Sequence, residues 1–196
     1  LWQILAGLSI HPCYLSYFNE LIGGPRNGHL YLADSNIDWG QDLHRLAEYA
    51  RAHPAETIKL AYFGSANPMR YGFTPQIIWE FSTPPEKLAA LTEGTYCISV
   101  TTLMGVWDPM IRESFWNDPQ VMLRYRTQSA AAGPRSSGGL RAAARPSANE
   151  TMPDFDLARR ARLLAKLRHR TPDDRIGWSV FVYRLKKSDI DGMIAP

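Results

Sequence analysis

The chain opens on an almost unbroken apolar stretch, Leu1 to Ile10 (LWQILAGLSI), which stops at His11-Pro12. A bilayer-spanning helix needs about 20 apolar residues, so this stretch cannot cross a membrane alone. The pattern by itself fits two readings: an N-terminal core helix, or the last turns of a longer span. In the second, Tyr14, Tyr17 and Phe18 are groups that settle at headgroup level as a helix leaves the hydrocarbon. After the turn signal Gly23-Gly24-Pro25, His29 to Ala33 (HLYLA) predicts a short buried strand leading to Asp34. A helix is expected from about Trp39, because Leu43, Leu46, Ala47 and Ala50 share one face. Asp38 is its natural N-cap, with Gln41 reaching back in capping-box fashion.

Ile58 to Phe63 (IKLAYF) predicts a second strand, running into a loop at Gly64-Ser65-Ala66-Asn67-Pro68. Pro84 to Leu91 supplies a short helix, and Thr95 to Thr101 (TYCISVT) a strand apolar on both faces, as in a covered parallel sheet. Asp156 to Arg170 reads as a helix carrying Leu157, Leu163, Leu164 and Leu167, followed by a turn at Thr171-Pro172-Asp173-Asp174. Trp178 to Leu185 closes the pattern as a strand. Between Ser129 and Asn149 only Ala, Gly, Ser, Pro and Arg dominate, with no periodic apolar residues to repay the entropy of ordering, so a mobile loop is expected there.

The sum is an α/β chain: a small, mainly parallel sheet with flanking helices, preceded by the end of a transmembrane helix. Its divisions are residues 1–25 (end of span and juxtamembrane segment), 26–128 (first part of the α/β domain), 129–150 (flexible low-complexity insertion) and 151–196 (basic helix and closing strand of the same domain).

Composition narrows the function. With 196 residues, 45% hydrophobic and 21% charged, the chain suits a globular domain, and a net charge of +3 does not call for nucleic acid. Cys13 and Cys97 have no metal or redox spacing and read as buried thiols. No GxSxG elbow, HExxH, phosphate-binding GxxxxGK[ST] or GxGxxG occurs.

The densest polar cluster is Asp34-Ser35-Asn36-Ile37-Asp38-Trp39-Gly40-Gln41-Asp42, between a predicted strand end and a predicted helix start. In open parallel sheets ligands bind beyond the strands' carboxyl ends, so the loops after Ala33, Phe63 and Thr101 should converge. Candidate ligand contacts are Asp34, Asn36, Asp38, Trp39, Gln41, Asp42, Ser65, Asn67 and Thr102. The alternating Asp34, Asn36, Asp38 opens like a calcium loop, but the pattern then fails: its sixth position is Trp39 instead of Gly and its twelfth is Arg45 instead of Glu. No cofactor is predicted, and a divalent metal is left open. Asp34 and Asp38 also suit general acid and base chemistry, as in a hydrolase. In the structural alternative Asp38 caps a helix, Asp34 bonds loop amides and Trp39 packs in the core. Arg159, Arg160, Arg162 and Lys166 lie on a basic helix that suits either anionic headgroups or an ordinary solvated face.

Several segments together resemble a known family. His11 to Pro25 (HPCYLSYFNELIGGP), Asp34 to Leu43 (DSNIDWGQDL), Leu60 to Gly64 with Tyr71-Gly72, and Ile176 to Tyr183 (IGWSVFVY) are similar to the C-terminal part of bacterial dolichyl-phosphate-mannose-protein mannosyltransferase-like membrane proteins. The resemblance implies a GT-C type glycosyltransferase of the bacterial inner membrane, using a polyprenyl-phosphate sugar donor and an acceptor protein or glycan, with this part on the periplasmic side. It also implies that the catalytic acidic residue sits in an early outer loop upstream, so none is assigned within this chain. It favours the membrane reading of Leu1 to Ile10, with membrane lipid as a partner.

Overall fold

Helix α3 (Leu43–Ala52) turns Leu43, Leu46 and Ala47 inward and leaves Arg51 near its end, an arrangement its spacing and the helix dipole both favour. Leu43 and Leu46 are buried completely or nearly so, a contribution of about 1.5 to 3 kcal/mol each. They meet a mixed sheet in a computed structural model that describes residues 2–34, 37–80, 83, 85–132 and 154–196.

Among the described residues the sheet comprises β1 (Ile58–Ala61), β2 (Gln76–Trp79), β3 (Gly94–Ser99), β4 (Asp174–Ile176) and β5 (Val180–Leu185), in the order β2-β1-β3-β5-β4. β1 runs parallel to β2 and β3, whereas β5 is antiparallel to both β3 and β4. Strand alternation sorts side chains onto two faces. Leu60, Cys97 and Val182, aligned across the central strands, lie with Leu43 and Leu46 of α3. Ala61, Ile98 and Phe181 face the other way, toward α7 (Phe155–Leu167). The sheet is thus covered on both sides, and the expected α/β class is present.

The remaining helices are α1 (Trp2–Ile10), the single turns α2 (Pro25–Gly28), α4 (Val100–Leu103) and α5 (Glu113–Trp116), then α6 (Pro119–Ala132) and α8 (Lys187–Ile194). Trp116 and Tyr125 from α5 and α6 join the α7 side of the core, where the Tyr125 hydroxyl donates to the Ile194 carbonyl of α8.

Several sequence expectations give way here. His29 to Ala33 is not a strand: the Tyr31 and Leu32 amides both donate to the Gly28 carbonyl at 3.0 Å, continuing the coil of α2, and Leu30, Tyr31 and Leu32 are exposed. The helix after Asp38 begins at Leu43 with Asp42 at the N-cap, because Asp38 accepts instead from the Gly40 amide in a preceding turn. Pro84 to Leu91 contains a single tight turn, Pro85–Lys87, and β3 ends at Ser99, with Thr101 already in α4. β2 and β4 were not anticipated. The closing strand starts at Val180, since Gly177 (φ 59°) and Trp178 (φ 70°) form the tight link from β4. Two successive left-handed residues suit the twist of such hairpins, although a bulky Trp seldom adopts one. The expected loop from Ser129 is helical as far as Ala132; residues 133–149 lie outside the described residues.

Candidate functional site

The expected meeting of loops occurs, although one of them follows no strand. The Thr101 hydroxyl bridges the Ala33 carbonyl (2.9 Å) and the Asp38 carbonyl (3.4 Å). The Phe63 amide donates to Ser99 Oγ (3.0 Å), and the Tyr62 hydroxyl donates to the Gly40 carbonyl (3.2 Å). The Asp34 to Asp42 segment is thereby fastened to the carboxyl ends of β1 and β3. Two glycines permit this approach: a Cβ on Gly40 or on Gly64 would lie 2.3 Å from the Tyr62 oxygen.

Asp38 sits beneath this junction, 1% exposed. One carboxylate oxygen accepts from the Gly40 amide at 2.8 Å, and Oδ2 is buried with no hydrogen-bond partner. Burial pushes the carboxyl up to about 7, with the nearby Asp42 charge adding to it. The Gly40 and Thr101 amides and the Ser99 hydroxyl pull the other way, without completing a bond to Oδ2. The Tyr62 phenol is pushed up to about 12, by burial first and by the Asp38 and Tyr71 charges second.

The other members of the run divide by role. Gln41 braces the turn, its Oε1 accepting from the Trp39 amide (2.7 Å) and its Nε2 donating to the Ile37 carbonyl (2.8 Å). Trp39 is 58% exposed instead of packed in the core, its ring 6.3 Å from that of Phe63. Asp34 is exposed, and Asn36 lies outside the described residues. Asp42 is buried; it accepts from the Ser179 hydroxyl at 2.6 Å and pairs with Arg45, so its carboxylate ties α3 to the β4–β5 turn. Gly177 lies against that carboxylate so closely that a Cβ would be 2.1 Å from Asp42 Cγ.

Beyond Tyr62 the loop after β1 opens a groove of about 370 Å³ lined by Ser65, Ala66, Asn67, Arg70 and Tyr71. Asn67 shapes it by accepting the Met69 amide at 2.9 Å, which starts the turn Pro68–Tyr71 and presents Arg70 and Tyr71 to solvent. Glu80, directly after β2, joins the same edge: its charge reaches the Tyr62 phenol, and it accepts from Thr83 Oγ1. Sequence reasoning missed both Arg70 and Glu80. The signal for Glu80 was a carboxylate ending the apolar run Ile77 to Trp79. Thr102 is only half-buried in α4, and the bridging contacts belong to its neighbour Thr101.

The basic helix does not present Arg160 and Arg162 as a surface. Arg160 and Arg162 are 5% and 9% exposed, because α7 is enclosed on almost every side. Arg160 donates to the Ala89 (2.5 Å) and Ile78 (3.4 Å) carbonyls, filling acceptors that the edge of the sheet leaves. Arg159 pairs with Asp156 at 3.3 Å, and Lys166 is exposed.

At the N-terminus Trp2, Ile4, Leu5 and Leu8 of α1 are exposed, as are Tyr14, Leu15 and Tyr17. Phe18 is not an interfacial anchor, for it is buried in the core against Gly28. Ser16 fastens the segment to the candidate site, its hydroxyl directed at the Ile37 (3.2 Å) and Gly177 (3.3 Å) carbonyls. Both cysteines are free thiols, Cys97 fully buried and Cys13 half-buried. Among the described residues no helix is long and apolar enough to cross a membrane, and no three His, Cys, Asp or Glu side chains gather as a metal-ligand set.

Comparison with known proteins finds no matching family model, no matching curated protein and no matching solved structure.

Proposed function

We propose that this chain is the extracytoplasmic domain of a bacterial inner-membrane glycosyltransferase that draws on a polyprenyl-phosphate sugar donor. It positions the donor's phosphate-sugar, or the acceptor, and the catalytic carboxylate comes from outside this chain. The observation carrying the reading is the junction at Ser16, which fastens an exposed apolar segment to the Asp38 turn and to the β4–β5 link. Residues 1–19 contain no Asp, Glu, Lys or Arg, and α1 exposes Trp2, Ile4, Leu5 and Leu8, so a covering of lipid or apolar helices suits it. In the groove after β1, Arg70 supplies a cation for a phosphate, Ser65 and Asn67 supply polar groups for sugar hydroxyls, and the exposed rings of Trp39 and Tyr71 supply flat faces.

The test is calorimetric titration with a short-chain prenyl-phosphate sugar. Arg70→Ala, an exposed change, should weaken binding about tenfold or more, the loss of one charge-assisted hydrogen bond. Equal affinity in folded wild type and variant would remove the groove from the function.

A second reading has its own observation. The carboxylates of Asp38 and Asp42 point inward, and Asp42 ties α3 to the β4–β5 turn. On that basis the aspartate run builds a scaffold for protein contact, and changes at these two residues would alter stability while leaving ligand titrations untouched.

A further inference from the structure

Helices α5, α6 and α7 enclose a cleft of about 180 Å³ whose walls include Glu113, Trp116, Asn117, Arg162, Lys166 and His169. Arg162 is its most constrained member. The guanidinium lies 5.2 Å from the centroids of both Trp116 and Tyr125, its Nε donates to the Ala195 carbonyl at 2.9 Å, and its Nη1 is 3.3 Å from Met122 Sδ. Those partners are all neutral. Among the described residues no carboxylate pairs with Arg162, although it is nine-tenths buried. A desolvated guanidinium normally has an anion beside it, since a buried charge is costly without one. Lys166, one turn further along α7, stands exposed at the same cleft and is likewise without an ion pair among the described residues. Arg126 of α6 adds positive potential at Arg162. The one carboxylate on the walls, Glu113, is held by His169 at 3.2 Å.

We infer that this cleft binds a phosphate monoester, with Arg162 as the fixed, planar clamp and Lys166 as the second cation at the mouth. Asn117 and His169 add polar contacts at the rim, and the cleft has room for a phosphate carrying a small substituent. The site is built from elements other than those of the Arg70 groove, so it stands or falls separately from the proposed function.

The phosphate is either free or part of a lipid headgroup, and the experiment distinguishes the two sources. Inorganic phosphate is titrated calorimetrically into the whole chain, and sedimentation is measured with phosphatidylcholine vesicles, with and without phosphatidic acid. Wild type should bind inorganic phosphate saturably, or show a sedimentation increment that depends on phosphatidic acid. Lys166→Glu, an exposed change that leaves the core intact, should weaken that binding about tenfold or more. Arg162→Gln, followed alongside by circular dichroism, should abolish it in protein that remains folded. Loss of phosphate binding in Lys166→Glu supports a soluble ligand, and loss of the phosphatidic acid increment alone supports a lipid one. Neither binding in wild type, or the same affinity in wild type and Lys166→Glu, would overturn the inference.

Discussion

Replacing Asp38 by Asn should stabilise the protein at neutral pH, and the gain should grow with pH in a defined way. Burial lifts the Asp38 carboxyl from the ordinary 3.8 to about 7 in the folded chain. Between those values the folded state keeps a proton that the unfolded state has released. Stability must then fall as pH rises, by about 1.4 kcal/mol per pH unit, until the folded group also ionises. The accumulated loss above pH 7 is about 4 kcal/mol. Asn has nearly the shape of the protonated acid and no charge, and its oxygen can still accept the Gly40 amide. His29, pushed down to about 4 by burial and by Arg175, works in the opposite direction, adding stability as pH rises toward 6.5. It does so equally in both proteins, so it cancels when they are compared. The assay is urea denaturation of wild type and Asp38→Asn from pH 4 to 8, with equal m-values confirming that the same surface unfolds. Apart from a constant offset, the variant's advantage should climb from near zero at pH 4 and level off just above pH 7. Parallel profiles, or an advantage that shrinks with pH, would refute the placement of a buried, under-bonded carboxylate at this junction.

Two further outcomes follow from the same neighbourhood. Gly177→Ala combines a left-handed φ of 59° with a Cβ 2.1 Å from Asp42 Cγ, whereas Gly72→Ala meets a φ of 80° and open space. Thermal melts should show a loss of at least about 3 kcal/mol for the first and only about 1 kcal/mol for the second. Ser179→Ala removes the 2.6 Å bond to buried Asp42 and should cost about 1 to 3 kcal/mol by chemical denaturation, with no change in prenyl-phosphate binding.

The sequence was most legible where a side chain's periodicity and its surroundings agreed. Leu43, Leu46 and Ala47 repeat at helical spacing and are buried as a set, and the apolar runs at Ile58 and Thr95 became adjacent parallel strands. The convergence of the loops after β1 and β3 was also readable, because those strands run parallel, whereas the Ala33 segment reaches Thr101 without following a strand. What failed depended on partners distant in sequence. His29 to Ala33 has the composition of a strand, but no neighbour pairs with it, and its amides find Gly28 instead. Asp38 and Asp42 are both credible caps, and only the Gly40 turn and the distant Ser179 decide which one holds the cap position. Arg160 and Arg162 read as surface because charge usually is; the carbonyls that receive them, Ala89 and Ala195, are far away along the chain. β2 is short and lies at the sheet edge, with an exposed first residue, so alternation gave it no clear signature.

The order of the strands also constrains how the molecule can be made. β3 is paired on one side with β1, which precedes it closely, and on the other with β5, whose residues arrive much later. A chain emerging from the ribosome therefore carries the six-residue edge of β3 unpaired through the whole synthesis of α4 to α7. Such edges recruit other strands. Nascent chains stalled before Val180 should accordingly depend on chaperones and be the principal source of aggregates, whereas release after Leu185 gives β3 its native partner and closes that edge.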